Sequence, residues 1–321
     1  SRGLGDVYKR QALDRHGEAL ESYKTALELD PGQLQAYTGR ASILLAIGSL
    51  EEALADCDEA IQQGAGNVAA FYNRGRVYQA LGRNEEALTD YTVAVGIDPQ
   101  NAAIYYSRGQ VNENLGYIED ALADYYKAIS LNPEKAPPYA ARGQIYRQLS
   151  RLDEALADYD SLVLLAPEDA VALYHRGQTY EDLGSVEEAL ADYDRAIGAD
   201  PTYAAAFHSR GQAQATLGEF EAAFADYDQA IRLDPEFRTA YFNRGELNEA
   251  HGRLEEALSD YGQAIRLQPE ASDAYYRRAH TNYILGHYDD ALSDFEQVLS
   301  LLPDHAGAFY HRGRTYEALD K

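Results

Sequence analysis

Residues 68 to 101 read VAAFYNRGRVYQALGRNEEALTDYTVAVGIDPQN. Phe71, Gly75, Tyr78 and Gly82 are spaced so that they fall on one face of a helix. Ala87, Tyr91 and Ala94 mark a face of a second helix, and Pro99 stops it. Gly75 and Ala87 are small enough to let two helix backbones approach closely. Phe71, Tyr78 and Tyr91 fill the space beside them. The stretch therefore predicts a packed pair of helices joined by a short turn.

The same unit recurs along the whole chain. Ala87 returns as Ala19, Ala53, Ala121, Ala155, Ala189, Ala223, Ala257 and Ala291, each 34 residues from the last, with no insertion or deletion. The period, and its order of aromatic, Gly, Tyr, Ala, aromatic, Ala and Pro, resemble the tetratricopeptide repeat. The resemblance runs from Ala12 to the end. It implies an all-α fold: antiparallel helix pairs stacked into a right-handed superhelical solenoid, each repeat touching mainly its neighbours, with a concave inner groove. On that reading residues 12–321 are a single array. It holds a partial repeat 12–32, full repeats 33–67, 68–101, 102–135, 136–169, 170–203, 204–237, 238–271 and 272–305, and a partial repeat 306–321.

Some stretches depart from the pattern. Ser1 to Gln11, SRGLGDVYKRQ, do not fit the repeat and resemble a translated sequencing adapter, so they are set aside from the fold. Gly17 to Leu29 reads as a second helix whose first helix is mostly missing. In the repeat 33–67, Ala41 stands in the Gly slot, Cys57 in the Tyr slot, and Gly64-Ala65-Gly66 replaces the Asp-Pro stop. That repeat is expected to open first, and Cys57 to be an ordinary core residue. Pro137-Pro138 open another repeat, as suits a helix start. The chain contains no Met, and its last unit ends after one helix, so native sequence is expected to be missing at both ends.

Composition narrows the function classes. No run is long and apolar enough for a membrane span. One Cys and no Asn-x-Ser/Thr sequon slightly favour the cytoplasm. The formal charge of −25 disfavours nucleic acid as a partner. Acidic pairs such as Glu85-Glu86 and Glu187-Glu188 sit just before the marker Ala, in the first turn of each second helix. There the helix macrodipole favours negative charge, so they read as helix-stabilising rather than as a ligand site.

At about 100° per residue, with Phe71 toward the core, Arg74 lies to one side of the first helix, and Tyr72, Arg76 and Gln79 to the other. The Arg slot is filled throughout, by Arg40, Arg74, Arg108, Arg142, Arg176, Arg210, Arg244, Arg278 and Arg312. An Asp before the aromatic of the second helix tracks it: Asp56, Asp90, Asp124, Asp158, Asp192, Asp226, Asp260 and Asp294. These are expected to form a structural ladder of ion pairs; the competing reading is a basic strip for an anionic ligand.

The Tyr side holds Tyr72, Tyr106, Tyr174, Phe242, Tyr276 and Tyr310, with Gln79, Gln110, Gln144, Gln178 and Gln212 further along the same helices. The resemblance implies that this face lines the groove. Tyr offers apolar area with a hydroxyl, and Gln can pair with a peptide backbone. Packing against the next repeat is the competing role. Basic residues are sparse on this face, and only five Lys occur in the chain, which argues against the subfamily that grips chaperone C-terminal carboxylates.

No nucleophile elbow, phosphate loop or metal-ligand spacing is present, so no catalytic residue, metal or cofactor is expected. Each His is expected to be a lone surface or groove residue. The reading is a non-catalytic scaffold that binds protein or peptide segments. Its rival is the substrate-recognition arm of a larger enzyme, such as a glycosyltransferase. Partner identity and oligomeric state are not legible.

Overall fold

The computed structural model describes residues 2–64 and 66–320, with side chains described from Arg15 onward. Among the described residues there are eighteen helices and no strand. The chain divides into two compact units, residues 1–165 and 166–321.

The first unit carries α1 (Arg2–Leu29), α2 (Leu34–Ala46), α3 (Leu50–Gln63), α4 (Val68–Ala80), α5 (Asn84–Ile97), α6 (Ala102–Asn114), α7 (Ile118–Leu131), α8 (Ala136–Gln148) and α9 (Leu152–Leu165). From α2 on, helices pack as pairs, and each pair packs against the next. The second unit repeats the scheme. Its helices are α10 (Ala170–Asp182), α11 (Val186–Ala199), α12 (Ala204–Leu217), α13 (Phe220–Leu233), α14 (Arg238–Ala250), α15 (Leu254–Leu267), α16 (Ser272–Leu285), α17 (Tyr288–Leu301) and α18 (Ala306–Leu319).

The marker Ala residues explain the pairing. Ala53, Ala87, Ala121, Ala155, Ala189, Ala223, Ala257 and Ala291 are all fully buried. Opposite Ala87 in the pair, Gly75 lies so close to Tyr91 that a Cβ there would stand 2.7 Å from the ring. The Gly slot therefore exists to seat the Tyr. Where the slot changes, its partner changes too. Ala41 faces Cys57 in α2 and α3, and Ala279 faces Phe295 in α16 and α17, all four fully buried. In the repeat 33–67 a methyl gained on one helix accompanies a ring lost from the other. Gly39, two positions earlier, takes over the close approach: a Cβ there would meet the Tyr23 ring of α1 at 2.5 Å.

The turn inside each pair needs a left-handed residue, which Gly adopts without a Cβ clash. Gly48, Gly82, Gly116, Gly184, Gly218, Gly252 and Gly286 have φ between +71° and +83°. Ser150 fills that place in the repeat 136–169, with φ +57°.

The N-terminal segment differs from the sequence reading. α1 runs unbroken from Arg2 to Leu29, where a helix was expected from Gly17. No Pro interrupts residues 2–29, so nothing local forces a break. Whether residues 1–11 present a repeat's packing face lies outside the described residues.

Candidate functional site

The Arg side of the first helices is closed by carboxylates from the second helices. In eight repeats the same two bonds form: Arg Nε donates to Asp Oδ2, and Nη2 to Oδ1, at 2.5 to 3.0 Å. The partners are Arg40–Asp56, Arg74–Asp90, Arg108–Asp124, Arg142–Asp158, Arg176–Asp192, Arg210–Asp226, Arg244–Asp260 and Arg278–Asp294. Two parallel charge-assisted bonds fix both planes, as guanidinium and carboxylate geometry allow. The Asp carboxylates are buried, and the Arg guanidinium groups lie within reach of aromatic rings. Arg74, for example, has its guanidinium carbon 5.7 Å from the Phe71 ring centre and 5.8 Å from that of Tyr78.

Further groups surround several pairs. Arg74, Arg210 and Arg244 each use Nη1 on a second carboxylate, Asp58, Asp194 and Asp228 respectively. Asn112 and Asn248 donate to Asp124 and Asp260. The Asp124 carboxylate holds the Arg108 guanidinium above its ordinary range. Among these Asp residues one departs upward: burial raises the Asp158 carboxyl despite Arg142 against it. Arg312 lies beyond the last such Asp, with its guanidinium over Phe309.

The Tyr side has a different construction. Tyr72, Tyr106, Tyr174, Phe242 and Tyr276 are half-buried, each with its ring beside the core aromatic of its own repeat. The ring centres of Tyr72–Tyr91, Tyr106–Tyr125, Tyr174–Tyr193, Phe242–Tyr261 and Tyr276–Phe295 are 5.8 to 6.0 Å apart. Gln110 donates to the Tyr106 hydroxyl at 3.1 Å, and Gln178 to that of Tyr174 at 2.8 Å. Gln144 and Gln212 are exposed, as is Tyr310. Gln79 accepts from the buried Tyr91 hydroxyl at 3.0 Å. It is a fixed acceptor rather than a free one.

That last bond belongs to a series which the sequence pattern concealed. Tyr125 donates to Glu113 at 2.7 Å, Tyr193 to Glu181 at 2.8 Å and Tyr261 to Glu249 at 2.8 Å. Each donor lies twelve residues after its acceptor. Glu113, Glu181 and Glu249 thus sit beside the Tyr stripe and anchor the core rings to it. Burial, with these carboxylates as hydrogen-bond acceptors, drives Tyr125 and Tyr261 well above the ordinary phenol range. The signal was the twelve-residue spacing of Glu and Tyr, which helix periodicity within one helix does not reveal.

The series has a gap in the second unit. Ala215 stands where Glu181 and Glu249 would, and Tyr227 has no side-chain hydrogen-bond partner among the described residues. A recess of about 460 Å³ opens there, with Gln212, Ala215, Tyr227, Asn243 and Glu246 in its lining. In the stripe slot of this repeat His208 replaces Tyr, its Nε2 accepting from the Asn243 side-chain amide at 3.0 Å. Burial pushes His208 down to about 4. His208 is half-buried in the Tyr-side slot, and other His residues also have partners. His280 Nδ1 is 3.0 Å from Glu249, and His305 caps α18 by accepting from the Ala308 N–H.

Among the described residues no cluster of three or more His, Cys, Asp or Glu could hold a metal. No helix among them is long and apolar enough to cross a membrane. Cys57 is buried, and burial pushes its thiol up to about 12, far from a reactive thiolate.

A tetratricopeptide repeat model matches residues 9–68, 140–204, 208–272 and 250–286, more than half of the chain. Further tetratricopeptide repeat models match residues 102–135 and 272–305, and a TPR repeat model matches 75–116. The crystal structure of YrrB, a TPR protein with an unusual peptide-binding site, is 28% identical with a TM-score of 0.52. That match covers 60% of this chain and 98% of YrrB. A tetratricopeptide repeat protein from Parabacteroides merdae is 22% identical, with TM-score 0.57, covering 81% of this chain and 99% of its own. The APC/C hetero-tetramer Cut9–Hcn1 is 14% identical, with TM-score 0.60, covering 90% of this chain and 56% of that one. The last two show the fold alone. No curated protein matches the chain in sequence.

Proposed function

Because the chain belongs to the tetratricopeptide repeat family, we propose that it is a non-catalytic scaffold holding peptide segments along the Tyr–Gln face of its first helices. The helix-pair array supports a protein-interaction role in general; the face and the ligand class are the finer reading. What carries it is the state of the stripe. Tyr106 and Tyr174 are half-buried, fixed from behind by Tyr125 and Tyr193 and tied laterally by Gln110 and Gln178. Rings held this way lose little entropy on binding and still present an edge and a hydroxyl. The Arg side offers nothing comparable, since its guanidinium groups are engaged by carboxylates. The peptide-binding site named for YrrB is in keeping with the same use of the fold.

The stripe mixes Arg76, Arg147 and Arg314 with Glu113, Glu181 and Glu249, so binding should depend only modestly on salt. The full chain is used to capture partners from a matched lysate. Tyr72→Ala, Tyr106→Ala and Tyr174→Ala together should abolish capture of specific partners while the helical circular dichroism signal stays. A second variant, Gln144→Lys with Gln212→Lys at exposed positions, guards against loss by misfolding and should also weaken capture. Capture that survives both variants but is lost when Glu187 and Glu188 are neutralised would overturn the reading.

A further inference from the structure

Twenty-nine residues after each stripe aromatic, the chain has a place for a second ring. In the second unit that place is filled from within. Tyr203 meets Tyr174 edge-on with ring centres 5.0 Å apart, Phe237 lies 4.9 Å from His208, and His305 lies 5.0 Å from Tyr276. Beside Phe242 the corresponding residue is Ala271, and the Arg238 guanidinium covers the ring instead, at 5.3 Å.

In the first unit, the residue in this place beside Tyr106 is Lys135, which has no ring. A recess of about 170 Å³ remains, walled by Ala102, Ala103, Tyr106, Ala128, Pro137 and Pro138. Its surface is almost wholly apolar. The Tyr106 hydroxyl is engaged by Gln110, and the two Pro at the start of α8 bring no N–H. The remaining lining residues are Asn132 and Lys135. No carboxylate lines the recess, in a chain with 53 Asp and Glu against 28 Lys and Arg. An apolar cavity of about 150 Å³ is large enough to take up benzene.

We propose that this recess is the seat for one aromatic side chain, Phe or Tyr, of a bound polypeptide segment. The ring stands against Tyr106 as Tyr203 stands against Tyr174. Charge complementarity agrees: the Lys135 ammonium attracts the negative face of a ring and repels Lys or Arg. A Leu fills similar volume but forgoes the edge-to-face pairing with Tyr106. The inference rests on the Tyr–Gln face being the peptide-binding face, and it names the residue type that anchors there.

The test uses the full chain with labelled Ala methyl groups, titrated with N-acetyl-phenylalaninamide and followed by NMR. The Ala102, Ala103 and Ala128 methyls should shift and saturate. The affinity should exceed that of N-acetyl-leucinamide by about two- to tenfold, the margin an aromatic pair adds beyond its buried area, and N-acetyl-lysinamide should give no shift. Lys135→Tyr returns the chain's own ring to the place and should abolish the response without lowering Tm. If that variant does not fold, Ala103→Leu, at an exposed position, should weaken it by narrowing the mouth. Absence of shifts, an equal response to the Leu amide, or shifts that persist in both variants would overturn the proposal. Failure of the groove reading looks different: partner capture would then survive the Tyr substitutions whether or not the Phe amide binds.

Discussion

Arg142 holds Asp158 through two bonds, Nε to Oδ2 at 2.9 Å and Nη2 to Oδ1 at 2.6 Å, with the Arg side chain 13% and the Asp 4% exposed. It is the most enclosed Arg among the described ion pairs of the ladder. The Tyr126 and Tyr146 rings stand 5.8 and 5.7 Å from its guanidinium carbon. Burial raises the Asp158 carboxyl even so. Burial works against both charges, yet Asp158 still holds the Arg142 guanidinium above its ordinary range, so neither charge can be left without the other at little cost.

The first prediction follows from that balance. Arg142→Ala leaves Asp158 buried without its cation and should cost about 3–5 kcal/mol. Arg142→Leu with Asp158→Leu removes both charges and should cost far less. Urea denaturation of the two variants decides it; small, additive effects would mean that the pair is effectively solvated.

Ser150 is the one described non-Gly residue with positive φ, and it occupies a turn that Gly fills in seven other repeats. Ser150→Gly should stabilise the chain by about 0.5–1 kcal/mol, the left-handed cost of about 1–2 kcal/mol for a Cβ-bearing residue less the extra chain entropy that Gly loses on folding. A fall in Tm would show that the Ser side chain compensates for the strain.

The missing rung at Ala215 can be supplied. Ala215→Gln places an amide where Gln79 accepts from Tyr91, so Tyr227 gains an acceptor and the recess shrinks. A gain of about 0.5–1.5 kcal/mol is expected. Ala215→Glu should gain less, since the new carboxylate would face Glu246 across the same recess and like charges repel. Equal gains from both would make the charge of Glu246 irrelevant there.

Acid should weaken the second unit through His208. Its imidazole, facing Tyr227, Phe237 and Asn243, is held down to about 4, against about 6.5 when unfolded. Between those values the unfolded chain binds the proton and the native state does not. Stability from this residue is therefore complete above about pH 6.5 and falls toward pH 4, by up to about 1.4 kcal/mol per pH unit. His208→Tyr, the residue of most other repeats at this slot, should flatten the decline. The Tm difference between variant and parent at about pH 7 and about pH 5 measures it. A difference that does not change with pH would contradict the burial effect.

The 34-residue spacing of Ala87 and its equivalents was enough to determine helix pairs, their turns and the two contrasting sides of each first helix. The reason is that helix periodicity, Gly and Pro are local properties, and the pattern repeats them until chance is excluded. The residue types of the Arg–Asp ladder were legible for the same reason: a fixed offset of 16 residues recurs. Other features depend on what crosses between helices. That Gln79 and Glu113 hold core Tyr hydroxyls requires knowing which helix faces stand opposite. That Gly39 does the work of the Gly slot requires placing the Tyr23 ring. That Tyr174 is covered by Tyr203 while Tyr106 lies beside an open recess turns on one residue, Lys135, with no periodic signature of its own. Only the tertiary structure could decide these, because packing depends on the volume left over after neighbouring helices have met.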